Sequence, residues 1–81
     1  MKTKNKTFSY PVLFTPAPEG GFDVSFPDFP GCVTFGDTYE EAKKMAIEAL
    51  TLWIETLQEQ HESIPRQPSR PIMDELQLQV A

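Results

Sequence analysis

The chain has 81 residues, twelve acids against seven Lys and Arg, a formal net charge of −5 and 40% hydrophobic residues. That length holds one domain, residues 1–81, around a thin core. A single cysteine and a single histidine exclude both an internal disulfide framework and a structural zinc site built on those residues, so self-association is the expected source of extra stability.

Residues 1–6 (MKTKNK) are polar and expected to fray. Phe8 to Phe14 (FSYPVLF) is rich in aromatic and β-branched residues and predicts a strand. Pro11 removes one ladder donor from it and favours an edge or a bulge. Pro16-Ala17-Pro18-Glu19-Gly20-Gly21 predicts a turn. Phe22, Val24 and Phe26 then alternate with Asp23 and Ser25, a second strand that completes a hairpin. Pro27-Asp28-Phe29-Pro30-Gly31 predicts a rigid corner, and Cys32 to Phe35 a short third strand ended by Gly36.

Thr38-Tyr39-Glu40-Glu41 matches a capping box, in which the Thr38 hydroxyl accepts from the N–H of Glu41 and the Glu41 carboxylate reaches back. From residue 38 to about 62 there is neither Gly nor Pro. Ala42, Met45, Ala46, Ala49, Leu50, Trp53 and Leu57 follow helical spacing, and Leu52 and Ile54 widen the stripe. The prolines between Ser63 and Pro71 predict an extended connector. Leu76, Leu78 and Val80 alternate within Glu75–Val80, which predicts a last strand. The expected fold is α+β, in the order β-β-β-α-β, with one antiparallel-rich sheet packed on one helix.

Charge is unevenly spread. Three cations fall in the first six residues, whereas residues 7–62 hold only Lys43 and Lys44 against ten acids, a net −8. Such a surface repels a phosphate backbone, so no direct DNA or RNA binding is expected, and it attracts a basic partner. No apolar run approaches the ~20 residues that span a bilayer, and no apolar h-region follows the N-terminal lysines as a signal peptide requires. A free Cys32 fits a reducing compartment, the cytoplasm.

Few residues invite catalysis. His61 lies near the helix C-terminus between acids and reads as a solvated imidazole. Cys32 has no obvious base beside it and reads as a small buried hydrophobe. Asp23, Asp28 and Asp37 could in principle converge on a divalent metal, although each has an ordinary explanation as a solvated strand, turn or cap residue. No Gly-rich phosphate loop is present, and no cofactor is expected.

Gly21-Phe22-Asp23-Val24-Ser25-Phe26-Pro27-Asp28-Phe29-Pro30-Gly31-Cys32, followed by Gly36-Asp37-Thr38-Tyr39-Glu40-Glu41-Ala42, resembles the HicB-like antitoxin family, with its P-D-x-P-G-C and G-D-T-x-x-E-A motifs. Ile64-Pro65 with Pro68-Ser69 is similar to a segment that follows the family's helix, and the likeness runs over roughly residues 8–80. The resemblance implies a partial ribonuclease H-like fold without an established catalytic set. It implies a small basic partner, the HicA-like toxin, an mRNA interferase whose active site and RNA surface the antitoxin blocks. Many family members add a C-terminal DNA-binding segment. Residues up to Ala81 supply none, so operator binding by these residues alone is not expected.

The expected function is therefore a non-catalytic antitoxin of a type II toxin-antitoxin pair, acting as a homodimer or higher homo-oligomer. Pro27, Pro30, Gly31, Gly36 and Thr38 are expected to set the fold, and Asp23, Asp28, Phe29 and Glu41 to contact the toxin. Two alternatives stand beside it. One is a reduced, metal-dependent nuclease built on Asp23, Asp28 and Asp37; the other is an orphan structural or small-ligand-binding oligomer.

Overall fold

The computed structural model describes residues 7–65 and 70–81. The tail expected to fray at 1–6 and part of the Pro-rich connector lie outside the described residues. Three strands, β1 (Leu13–Pro16), β2 (Phe22–Ser25) and β3 (Val33–Gly36), precede one long helix, α1 (Tyr39–Glu59). The sheet is antiparallel throughout, in the order β1-β2-β3.

The first strand starts at Leu13 rather than Phe8, and runs on into the segment that reads as turn. Pro11 has no N–H to give a ladder, so pairing begins only beyond it. Pro16 is tolerated at the strand's end because β1 lies at the sheet edge. Tyr10 and Val12, ahead of the strand, still pack against the core. The hairpin closes through the Ala17 N–H, which donates to the Gly21 carbonyl at 2.9 Å, and the Gly20 N–H, which donates to the Ala17 carbonyl at 3.0 Å.

Register sorts the side chains. Phe14, Val24 and Thr34 form one cross-strand row beneath the helix, and Pro16, Phe22 and Gly36 the next. Leu13, Ser25 and Val33, with Thr15, Asp23 and Phe35, occupy the opposite face. The buried core is Val24, Phe26, Phe29, Cys32, Ala42, Ala46 and Ile54. Burial pushes the Cys32 thiol pKa up, and Sγ faces the Ala49 carbonyl at 3.9 Å. Such a thiol is a packing group rather than a nucleophile.

The corner between β2 and β3 is two consecutive tight turns. The Phe29 N–H donates to the Phe26 carbonyl and the Cys32 N–H to the Phe29 carbonyl, both at 3.0 Å. In the second turn Pro30 takes the position that wants a fixed φ, and Gly31, at φ +96°, the position that wants a positive one. These turns drive Phe29 inward, where the Tyr10 ring meets it edge-on with centroids 5.0 Å apart.

The helix starts with the expected capping pair, except that the return contact reaches one residue before the N-cap. The Thr38 hydroxyl accepts from the Glu41 N–H at 3.0 Å, and the Glu41 carboxylate accepts from the Asp37 N–H at 2.7 Å. Tyr39 then anchors the first turn to the sheet, edge-on to Phe14 and Phe22 with centroids at 5.0 and 6.0 Å. At Gly36 the sheet meets the helix almost backbone to backbone: a Cβ there would lie 2.3 Å from the Ala42 nitrogen and 2.4 Å from its Cα. Of the two residues that widen the apolar stripe, Ile54 is buried and Leu52 remains 65% exposed.

The helix ends in a Schellman motif. The Glu62 N–H donates to the Leu57 carbonyl at 2.8 Å and the His61 N–H to the Gln58 carbonyl at 3.1 Å. His61 itself takes φ +57°, a left-handed conformation that glycine usually fills. The expected last strand is absent: residues 70–81 carry no strand, and Leu76, Leu78 and Val80 are exposed. The described order is therefore β-β-β-α, and the α+β class stands. Alternation alone does not make a strand; among the described residues the segment is paired with no edge.

Gly36→Ala would force the helix off the sheet and cost about 3 kcal/mol, most of what so small a core supplies. Urea titration should show its midpoint collapse. His61→Gly should raise stability by about 1 kcal/mol, because glycine carries no Cβ penalty at positive φ. The same titration reads it as a higher midpoint with an unchanged slope.

Candidate protein-binding surface

The expected site residues separate into two groups. Pro30, Gly31, Gly36 and Thr38 do the structural work described above, and Pro27 occupies the second position of the first turn of the corner. Phe29 is 4% exposed and its ring belongs to the core, so it supports a surface rather than forming one. Asp23 lies on the open face of the sheet, in register with Thr15 and Phe35. Asp28 sits in the corner beyond β2, and Glu41 at the helix start, which follows the end of β3. Because Phe22 pairs with Gly36 and Ser25 with Val33, Asp28 and Glu41 lie toward opposite ends of the sheet. That separation is roughly 10 Å along the strands.

No metal-binding triad forms from these acids. Among the described residues, no group of three or more His, Cys, Asp or Glu is placed to hold a metal ion. Asp37 instead lends its backbone N–H to the capping box.

What the helix does gather is charge. Glu41, Glu48 and Glu55 recur at seven-residue intervals and Glu59 follows four later, all exposed. A seven-residue step drifts by only ~20° around a helix, so the four carboxylates share a narrow line about 27 Å long. Lys44 flanks this line, whereas Lys43 lies on another side with its ammonium 5.3 Å from the Tyr39 ring centroid. The seven-residue spacing is visible in the sequence, where Glu48, Glu55 and Glu59 fall mostly off the apolar stripe, but spacing alone does not single out a line.

Apolar surface accompanies the acids. On the open sheet face Val33 is 66% exposed, with Leu13 and Phe35 about 40% exposed beside it. Between β3 and the helix runs a groove of about 460 Å³, lined by Cys32, Val33, Ala49, Leu52, Trp53 and Leu57 among others. A second, more polar cavity lies at the other side, lined by residues including Thr7, Tyr10, Gln58, Glu62 and Ser63. Exposed apolar area next to concentrated charge of one sign marks a protein-binding surface better than a small-molecule site. Among the described residues, no helix is long and apolar enough to cross a membrane.

Comparison with known proteins fits this picture. The family model described as the HicB-like antitoxin of bacterial toxin-antitoxin systems matches residues 10–79. Antitoxin HicB 1 of Photorhabdus laumondii is 50% identical over 60 residues, which are 74% of this chain and 39% of that protein. Antitoxin HicB of Escherichia coli K12 is 48% identical over 56 residues, 69% of this chain and 41% of that one. The chain thus spans about two fifths of the length of these curated relatives. A shorter relative, UPF0150 protein ssr1765 of Synechocystis, is 35% identical over 80% of this chain and 82% of its own length. Among solved structures, a chain of the HicA3 and HicB3 toxin-antitoxin complex matches with a TM-score of 0.62 at 35% identity, covering 74% of this chain and 70% of that one. With the motifs, the fold and these likenesses in agreement, the chain belongs to the HicB-like antitoxin family.

Proposed function

We propose that this chain is a non-catalytic antitoxin that neutralises a small basic ribonuclease by covering it. The observation that carries the reading is the line of Glu41, Glu48, Glu55 and Glu59 along the exposed side of α1, in a chain whose relatives include named antitoxins. An enzyme that binds RNA needs a cationic surface, because its affinity rests on displacing counterions from phosphates. A rigid row of carboxylates presents the opposite field at fixed spacing, which speeds encounter. Asp23 and Asp28 extend that field onto the sheet face and the corner. Buried apolar contacts supply most of the affinity once the partner is seated, and Val33 and Phe35 lie exposed for that purpose. Phe29 acts from beneath by holding the corner that presents Asp28.

The toxin proposed is a HicA-like mRNA interferase, the partner the sequence resemblance implies, and the match to a HicA3 and HicB3 toxin-antitoxin complex supports that reading. The setting is cytoplasmic, in keeping with the free thiol of Cys32. Two features support self-association: among the described residues, a core of seven buried residues is small for an independent domain, and twelve large hydrophobic side chains stay exposed.

Adding the purified chain to the small basic toxin encoded next to it should abolish RNA cleavage at equimolar ratio; undiminished cleavage refutes the proposal. Replacing Glu48, Glu55 and Glu59 together with Lys should slow association at least ~10-fold at low salt. The difference should shrink toward ~0.5 M salt as screening shortens the field. Stopped-flow fluorescence measures both, and equal rates would remove the acidic line from the account.

A further inference from the structure

We propose that the groove between β3 and α1 is the anchor site for the basic partner: it takes an apolar side chain of that partner, while a lysine or arginine beside that side chain reaches the carboxylates along the groove's outer lip. The inference rests on the reading of the chain as an antitoxin and adds where the slowly released contact lies. The corner motif helps to build the groove. Gly31 and Cys32, which end the corner, line it together with Trp53, the single tryptophan of the chain. A Cβ on Gly31 would lie only 3.6 Å from the Trp53 ring, so the corner backbone approaches that ring closely. Leu52, 65% exposed, is the outer lip. Glu59, seven residues on, lies only ~20° round the helix from it. Glu48, four residues back, lies ~40° away on the same side. The acidic line and the apolar groove therefore meet at Leu52.

Charge at that lip selects the occupant. A second copy of this chain is disfavoured, because a two-fold contact sets one patch against itself and would bring Glu48, Glu55 and Glu59 of both chains together. Nucleic acid and anionic lipid carry the same sign as the lip and are repelled. A small polar ligand finds few handles: among the described residues the lining holds no charged side chain, and the Thr56 hydroxyl already donates to the Leu52 carbonyl at 2.8 Å. A basic protein satisfies both parts, burying an apolar anchor in the groove and setting a cation against the line beside it. The two parts then act on different rates. The acidic line governs encounter, and the groove governs release.

Two measurements on the full chain with the small basic toxin encoded next to it test this. In the first, Trp53 is replaced biosynthetically by 5-fluorotryptophan and its fluorine resonance is followed as toxin is added. In the second, stopped-flow rates are compared for the wild type and Leu52→Ala, an exposed helix position where alanine keeps the circular dichroism helix signal. Toxin should shift the Trp53 resonance. Leu52→Ala should release toxin ~10-fold faster with an unchanged association rate, the reverse of what the lysine substitutions on the line do. An unmoved resonance, or an unchanged release rate, in a chain that still abolishes RNA cleavage would overturn the anchor and leave the antitoxin reading intact. Absence of toxin binding and of protection would overturn both. A Trp53 resonance that shifts with the concentration of this chain alone, and not with toxin, would assign the groove to a second copy and overturn the inference.

Discussion

The structure depends on one close approach. At Gly36 the last strand comes so near the helix that Ala42 leaves no room for a Cβ. Small residues at this contact let a single helix lie flat on a three-stranded sheet, and Ala46, one turn on, is also buried. Thr38 and Glu41 fix where the helix starts, and Tyr39 pins that start to Phe14 and Phe22. A shift at Gly36 would therefore move the entire helix as a rigid body.

That seating decides what the outside looks like. With Ala42, Ala46 and Ile54 turned to the sheet, the line from Glu41 to Glu59 faces away from it. The same rotation leaves Leu52 half out and opens the groove beside β3. Acidic line and apolar groove are two consequences of one packing angle. They differ in chemistry: the proposed cationic partner is drawn to the carboxylates, and the groove is apolar. In this account inhibition needs no chemistry from the chain, since a ribonuclease surface that is covered cannot also hold RNA.

Much of this was legible in the residues. Strict alternation gave β2, and the capping box gave the helix start, because both are local signals whose physics lies within a few residues. The second turn of the corner was legible for the same reason: proline followed by glycine leaves few conformations open. The start of β1 is not legible, because aromatic and β-branched content says which residues favour a strand, not where a partner begins to pair. The alternation in Glu75–Val80 predicts a strand, yet pairing is a property of two segments, and no local pattern names the second. Phe29 is expected from the sequence at the toxin contact, but the two turns fold its ring inward. The acidic line was missed as a unit because spacing alone does not distinguish a solvated helix side from a surface that a partner covers.

The central claim is that the helix and sheet exterior of this chain is where a basic ribonuclease sits. Amide chemical shifts of labelled antitoxin, followed while unlabelled toxin is added, test it most directly. The account predicts large changes at Glu41, Glu48, Glu55 and Glu59 and at Asp23, Val33 and Phe35, with the core amides of Val24 and Ala46 little moved. Changes confined to other surfaces, or none at saturating toxin, would contradict it.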